Sequence, residues 1–318
     1  MALDLSALSA HTDQTSMRDL IVKQTVSPLT ATLARKVTGV RNPRALNLLT
    51  STATHQVGGT CGFSTSGTQT MSQRTLTASP IKINEQICLR DFEAYWADIL
   101  IANGQDYTDK VIPQTIIENI LKKDADQLEG YDWTGTVAGA AKYDGLATII
   151  TAAAGVTEAN AAAYVEGGVA LTAVDKTNVL KAIDAVINAT VVNVPALIGK
   201  SNNYLFVPLE YYAYAVQAYL DKNYYGAFAN TQKNGSETMM PIIGYPNFTI
   251  VGTKGLTGTK DMYLINGDNM FLGVDMDTEE TNAKIWYSQD DDVHKIAILY
   301  RRGWQVAYPS EIVKFTIA

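Results

Sequence analysis

"IWYSQDDDVHKIAILYRRGWQVAYP", residues 285–309, places two apolar runs on either side of three consecutive aspartates. In an extended chain, every second side chain points to the same face. From Val293 to Tyr308 one face carries His294, Ile296, Ile298, Tyr300, Arg302, Trp304, Val306 and Tyr308. This alternation predicts either one long strand with a buried face or a strand that bends at residues 301–303, where the pattern meets Arg302.

The aspartates Asp290, Asp291 and Asp292 lie where a hairpin between two such strands needs a turn. Aspartate is favoured in turns because its carboxylate accepts hydrogen bonds from nearby backbone amides. The sequence therefore predicts an antiparallel hairpin with an acidic, solvated turn. The alternative is a divalent-metal site, and hence a metal-dependent enzyme, built from these aspartates and His294. That alternative needs an irregular loop, because neighbouring side chains of a strand point to opposite faces.

The rest of the chain mixes helical and strand periods, which predicts an α+β fold. Apolar residues at helical spacing predict helices over residues 113–129, 145–154, 176–191 and 209–225, and we expect Gly130 to end the first of them. Short β-rich runs broken by glycine, asparagine and aspartate predict strands over residues 203–208, 248–253, 262–274 and 283–288.

A serine- and threonine-rich segment precedes the first predicted helix. Of the 30 residues from Thr50 to Ser79, 14 are serine or threonine. After it, Ile81, Ile83 and Ile87 share one face of an alternating run over residues 81–90. Threonine favours strands, but the segment has too little apolar surface for a core of its own. We therefore expect a long hairpin with a polar tip.

Composition and charge narrow the class of protein. The chain has 318 residues, of which 47% are hydrophobic and 18% charged, so it can bury a sizeable core. The net charge is −7, and residues 1–50 hold six basic against three acidic residues. This basic excess is far smaller than that of a dedicated nucleic-acid binder. No secretory signal, membrane span, catalytic constellation or cofactor motif is predicted, and the spacing of Cys61 and Cys88 fits a reduced compartment.

The order of these elements resembles that of the major capsid proteins of tailed bacteriophages, the Hong Kong 97 type fold shared with encapsulin shells. The resemblance is strongest at residues 261–315, which end in the pattern G-x-x-V-A-x-P-x-x-I-V. Residues 128–146, "LEGYDWTGTVAGAAKYDGL", are similar to the turn that follows the long spine helix of that family.

The resemblance implies a domain order. The expected regions are an N-terminal arm at 1–50, an extended E-loop hairpin at 51–88, a peripheral domain with the spine helix at 89–150, an axial domain at 151–269 and returning peripheral strands at 270–318. It also implies a non-enzymatic subunit that forms pentamers and hexamers around phage DNA. Its expected location is the virion, and the host cytoplasm during assembly. An encapsulin-like cargo compartment is the alternative with the same fold.

Expected partners are other copies of the chain, packaged DNA held without sequence specificity by an inward-facing basic arm, and scaffold, portal and decoration proteins. No membrane contact is expected. Opposite charge on two protruding hairpins suggests a contact between neighbouring subunits. Its basic side would be Arg74, Lys82 and Arg90 of the E-loop region, and its acidic side would be Asp290, Asp291 and Asp292.

Overall fold

The computed structural model describes residues 29–56, 58, 65–87, 127–222, 238–275, 284–288, 290 and 293–317. The helices in this part of the chain are α1 (Leu29–Leu33), α2 (helical residues 127–134), α3 (Leu146–Ala152), α4 (Val179–Asn193) and α5 (Leu209–Asp221). Short 3₁₀ helices occupy Pro195–Gly199, Lys254–Leu256, Gly267–Asn269 and Pro309–Glu311.

The described strands form three sheets. They are β1 (Arg35–Val37), β2 (Arg44–Ala53), β3 (Gly67–Leu76), β4 (Ser79–Ile87), β5 (Thr157–Glu158), β6 (Asn203–Pro208), β7 (Met239–Ile242), β8 (Tyr245–Thr253), β9 (Met262–Asn266), β10 (Met270–Val274), β11 (Lys284–Ser288), β12 (Val293–Val306) and β13 (Val313–Phe315). The mixture of helices and largely antiparallel strands confirms the predicted α+β class.

A five-stranded sheet is built around β12. β4 pairs antiparallel with one edge of β12, from Arg302 to His294. β10 and β11 pair antiparallel with the other edge, one beside residues 302–306 and the other beside residues 293–297. β1 then pairs parallel with β10. The strand continues from Val293 to Val306 without a break at residues 301–303, so the long-strand prediction is confirmed.

The six-stranded sheet has the order β5-β13-β9-β6-β8-β7. Helices α4 and α5 cover one of its faces, where alternate strand residues such as Leu205, Phe248 and Leu264 are buried against them. The buried face of α4 contains the four residues that the helical period places inward, namely Val179, Ile183, Val186 and Ile187. Burial of this stripe drives the packing of α4.

The two sheets share a second core. Phe206, Tyr263 and Ile265 from the other face of the six-stranded sheet meet Leu272 and Trp304 from the five-stranded sheet. Trp133 of α2 packs here, with its ring centroid 4.9 Å from that of Phe206 and 5.5 Å from that of Tyr263. The last described strand, β13, pairs with β9 in the six-stranded sheet. Residues that are distant in sequence are therefore neighbours in this sheet.

Strands β2 and β3 form a separate two-stranded sheet, here called the ribbon. Its ten residue pairs run from Arg44↔Leu76 to Ala53↔Gly67. The predicted hairpin is therefore present, but the expected role of residues 81–90 in it is wrong. Those residues form β4 as far as Ile87, and β4 pairs with β12 because its apolar alternation continues the core face of the larger sheet.

The first predicted long helix is described only in its last part. Residues 113–126 lie outside the described residues, and residues 127–134 are helical. Leu128 is buried, as its place in the apolar stripe predicts. The prediction that Gly130 ends the helix is wrong, because the helix continues to Thr134. The helix ends instead at Gly135, where a Cβ atom would lie 2.4 Å from the Tyr131 carbonyl oxygen.

Candidate functional site

The acidic turn lies at the tip of the hairpin that the sequence predicts. β11 and β12 pair from Ser288↔Val293 to Lys284↔Ala297, which leaves residues 289–292 as the connection. Asp290 is exposed in a turn, whereas Asp291 and Asp292 lie outside the described residues. Among the residues that the structure describes, no three histidine, cysteine or acidic side chains are grouped to hold a metal ion. The described helices include none long and apolar enough to cross a membrane.

A buried ion pair joins α2 to the long strand. Helix α2 directs Asp132 toward the five-stranded sheet, and the core face of β12 carries Arg302. The Arg302 Nε atom donates to Asp132 Oδ1 at 2.7 Å, and a second guanidinium nitrogen bonds to Oδ2. The Tyr143 hydroxyl and the Trp304 Nε1 atom also donate to Asp132 Oδ1, at 2.9 Å and 2.7 Å. Each buried polar group of this cluster is therefore satisfied.

The electrostatics of this cluster are those of a structural ion pair. Burial, reinforced by the Asp132 carboxylate, raises the pKa of Tyr143 well above its usual value. Burial alone would lower the pKa of Arg302, but the charge and hydrogen bonds of Asp132 raise it overall. Tyr143 therefore stays neutral and Arg302 stays charged at any physiological pH. A group that does not titrate near neutral pH is unsuited to general acid–base catalysis.

A second polar cluster joins the short helix α1 to the same end of α2. The Thr253 hydroxyl donates to Glu129 Oε1 at 2.7 Å, and the Thr30 hydroxyl donates to the same oxygen at 3.3 Å. The Trp133 Nε1 atom donates to the Thr30 hydroxyl at 2.8 Å. Neighbouring residues of α2 thus contact α1, the five-stranded sheet and the six-stranded sheet, which fixes their relative positions.

The base of the ribbon rests on the outer side of the five-stranded sheet. The cross-strand pair Gly273↔Gly303 lies directly beneath it. A Cβ atom at Gly303 would lie 2.0 Å from the Thr77 carbonyl oxygen, and one at Gly273 would lie 3.2 Å from the Leu76 side chain. Leu76 packs there with Val40 and Ala78 in a small apolar cluster. The two glycines therefore allow the chain to cross the sheet at close range.

The ribbon beyond this base has two unlike faces. The even-numbered face carries Arg44 and Arg74 with Leu46 and Leu48. The odd-numbered face is exposed along its whole length and carries no charged residue. Its residues are Ala45, Asn47, Leu49, Ser51, Ala53, Gly67, Gln69, Met71, Gln73 and Thr75. At its centre the cross-strand pair Leu49↔Met71 is 55% and 73% exposed.

The five-stranded sheet also has an exposed region, on the side where the ribbon base lies. We call this region the outer face; it comprises Lys82, Asn84, Gln86, Trp286, Lys295, Ala297, Leu299 and Arg301. Trp286 is 45% and Leu299 48% exposed. At its edge the Asp275 carboxylate is buried between Arg41 and Arg301, each 3.4 Å away, so the one acidic group described there is neutralised.

The residues expected to join neighbouring subunits lie on different elements. Arg74 is half-buried on the ribbon, where burial lowers its pKa, whereas Lys82 is exposed on β4 opposite Leu299. Lys82 thus belongs to the five-stranded sheet and not to the ribbon. Arg90 lies outside the described residues. Within one chain the described members of this set are not in contact, and a contact between subunits stays a prediction.

The pairing of Asp132 with Arg302 was not predicted from the sequence. The two residues are separated by 170 positions, so no local pattern joins them. One signal in the sequence was Arg302 itself, a charged residue between Tyr300 and Trp304 on the strand face that is predicted to be buried. A buried charge requires a partner, so this position alone predicts a buried carboxylate elsewhere in the chain.

No protein family model and no curated protein matches the sequence. Solved structures do match, over nearly the whole chain. A chain of the satellite phage P4 procapsid has 10% sequence identity and a TM-score of 0.55, with 94% of this chain and 98% of that one covered. A chain of the capsid of Myoviridae phage XM1 has 13% identity and a TM-score of 0.54, with 89% of each chain covered.

A third match comes from a different source. A chain of the virus-like particle from Pyrococcus furiosus has 9% identity and a TM-score of 0.51, with 95% of this chain and 98% of that one covered. At such identities the likeness defines the fold. The chain has the Hong Kong 97 type capsid fold, as its element order predicts.

Proposed function

We propose that this protein is a major capsid protein, a structural subunit that assembles with copies of itself into an icosahedral shell around phage DNA. The observation that carries the proposal is the match to the P4 procapsid chain, which extends over 94% of this chain and 98% of the other. A match of that extent is not limited to a common core. The proposed role is structural and not catalytic, and the proposed location is the virion.

The ribbon supports this role on physical grounds. An isolated two-stranded hairpin is marginally stable in water, since it cannot bury enough apolar surface. The ribbon nevertheless extends over ten residue pairs, and among the described residues the apolar cluster that ties it to the body lies at its base. We infer that a neighbouring subunit covers it. Head-to-tail contacts of this kind close into rings, as five- and six-membered capsomers require.

The domain roles follow from the same proposal. We assign the E-loop to the ribbon, residues 44–76, and the peripheral domain to the five-stranded sheet with α2 as the end of the spine helix. The axial domain is assigned to the six-stranded sheet with α4 and α5, and it includes β13 at the end of the chain. These assignments differ from the domain order expected from the sequence in two places. The E-loop becomes residues 44–76 instead of 51–88, and residues 313–315 belong to the axial domain instead of the returning peripheral strands.

The proposed partners rest on charge. Residues 1–50 carry an excess of basic residues while the remainder of the chain is acidic, so we propose that the arm faces the packaged DNA. Lys82 and Asp290 are both exposed, which supports a charged contact between the β4 region and the acidic turn of a neighbour. Scaffold, portal and decoration proteins complete the proposed set.

Sedimentation velocity of the purified protein, with and without a co-expressed scaffold candidate, tests the proposal. We expect a species far larger than the 34.5 kDa chain, in equilibrium with capsomers or free subunits. A monomer under every condition, including co-expression with the scaffold, would contradict the proposal.

A further inference from the structure

Two short segments of unlike character connect the ribbon to the five-stranded sheet. The second connection, residues 77–78, joins β3 to β4 and crosses the Gly273↔Gly303 pair at close range. Leu76, which precedes it, is fully buried and packs against Gly273. This connection is held by tight packing, which leaves it little freedom to move.

The first connection, residues 38–43, joins β1 to β2 and depends on polar contacts as well as on packing. Val40 is buried, and its amide donates to the Val274 carbonyl oxygen at 3.2 Å. The Nε atom of the next residue, Arg41, donates to Asp275 Oδ1 at 3.4 Å. The Arg41 side chain is 57% exposed, so this contact can open without unpacking a core.

Asp275 holds the first connection in two ways. Its Oδ1 atom accepts from the Arg41 side chain, and its Oδ2 atom lies 3.4 Å from the Nε atom of Arg301. The Arg301 guanidinium, oriented in this way, donates from Nη1 to the Arg41 carbonyl oxygen at 2.7 Å. The carboxylate therefore fixes both the side chain and the backbone of Arg41. Because it is only 2% exposed, salt screens these interactions weakly.

Two guanidinium groups share this one carboxylate. Without its negative charge, Arg41 and Arg301 would be like charges held close together, and like charges repel. Loss of the charge would therefore open the first connection, and not merely remove one hydrogen bond. The second connection would remain, because packing and not charge holds it.

We propose that Asp275, Arg41 and Arg301 form an ionic latch that sets the direction in which the ribbon leaves the body, with residues 77–78 as the pivot. When the latch is closed, the ribbon has two fixed connections and one direction. When it is open, the ribbon rotates about the pivot while both larger sheets stay folded, because the latch residues belong to neither of their cores. This device lies within one chain and does not depend on shell assembly.

Hydrogen exchange of the free subunit, isolated by sedimentation, tests the latch. We expect Asp275→Asn to accelerate exchange in a peptide over residues 38–43 by about tenfold or more, because opening frees the Val40 amide. Residues 262–266 of β9, in the core, should keep their wild-type exchange. Asp268→Asn makes the same chemical change at an exposed position and is the matched control.

Arg41→Gln is a second variant, which keeps the test decisive if the buried change at Asp275 unfolds the subunit. Loss of protection in β9 would reveal such unfolding. Arg41 is exposed, so its replacement leaves the cores intact. We expect faster exchange over residues 38–43 here as well, but less than in Asp275→Asn, because Arg301 keeps its carboxylate and its bond to the backbone of residue 41.

Distances between two nitroxide labels measure the direction of the ribbon. The labels are attached to Met71→Cys on the ribbon and Val192→Cys on α4, both at exposed positions, in a chain whose Cys61 and Cys88 are replaced by serine. We expect one narrow distance distribution when the latch is intact. Adding Asp275→Asn should make the distribution at least about twofold broader.

Wild-type exchange over residues 38–43 in folded Asp275→Asn and Arg41→Gln would overturn the inference. Faster exchange with an unchanged distance distribution would also overturn it, because the first connection would then open without moving the ribbon. Equal effects of Asp268→Asn would have the same meaning. Failure of the wild-type protein to form shells bears on the proposed function alone, so the two failures are distinguishable.

Discussion

Arg302 occupies a position where the strand pattern requires an apolar side chain, yet it is only 4% exposed. The cost of burying its charge is offset by Asp132, which accepts hydrogen bonds from Arg302, Tyr143 and Trp304. Such a pair contributes little net stability compared with apolar residues of the same size, but breaking it leaves a buried charge unpaired. Its effect is therefore to make the position of α2 on β12 specific.

Single substitutions that break this pair should be strongly destabilising. We expect Asp132→Leu and Arg302→Met each to lower the free energy of unfolding by about 3–5 kcal/mol, with a double variant that costs less than the sum. Asp132→Leu is the more harmful of the two, because it also removes the acceptor of Tyr143 and Trp304. Urea unfolding of the purified subunit measures both.

The exposed pair Lys200 and Glu311, with a nitrogen–oxygen distance of 2.7 Å, is the control. Its removal should change the free energy of unfolding by no more than about 1 kcal/mol, since exposed ion pairs are screened by water. Additive losses from Asp132→Leu and Arg302→Met would show that the two side chains are not coupled and would contradict this account.

The ribbon is positioned by its base, and the glycine pair beneath that base decides how closely it can approach. We expect Gly303→Ala to destabilise the subunit by about 1–3 kcal/mol, because the added methyl group overlaps the Thr77 carbonyl oxygen. Gly130→Ala is the matched control, since Gly130 lies inside helix α2 with open space where its Cβ atom would be. That change should stabilise the subunit by about 1 kcal/mol. Thermal unfolding of the two variants distinguishes them, and equal effects would refute the proposed close contact.

The secondary-structure elements were largely predictable where one periodicity is sustained. β12, its hairpin with β11, and the buried stripe of α4 follow from alternation or helical spacing in the sequence. The pairing partner of β4 could not be predicted in this way. The alternating pattern of β4 fits a ribbon and a sheet equally well, and only the core beneath β12 decides between them. The prediction that Gly130 ends the helix failed for a related reason. Glycine often ends a helix, but the tertiary contacts of Leu128 and Trp133 stabilise helix α2 beyond Gly130.

The candidate surface was predictable only in outline. A hairpin around the serine- and threonine-rich segment follows from composition, but its face depends on register, and a shift of one residue exchanges Leu49 and Met71 with the even-numbered face. The exposure of Trp286 and Leu299 likewise requires knowing which side of the five-stranded sheet meets the core. The ion pair of Asp132 and Arg302 joins residues that are 170 positions apart in the sequence, so no local pattern predicts it.

The two larger sheets bury their own cores, and the ribbon contributes no residue to either of them. We expect a variant that joins Asn47 to Gln73 through an Asn-Gly turn, and so lacks residues 48–72, to remain folded, because Leu76, Val40 and Ala78 still cover the glycine pair. It should form no particles, because it lacks the surface that we propose a neighbouring subunit covers. Circular dichroism and sedimentation measure the two properties, and intact particles from this variant would contradict the E-loop assignment.

Electron microscopy of the purified wild-type protein at high concentration, with and without a scaffold candidate, shows whether the chain closes into a shell. We expect closed icosahedral particles, or rings of five and six subunits that precede them. Dispersed monomers or dimers under every condition, or open filaments with no closed particle, would contradict it.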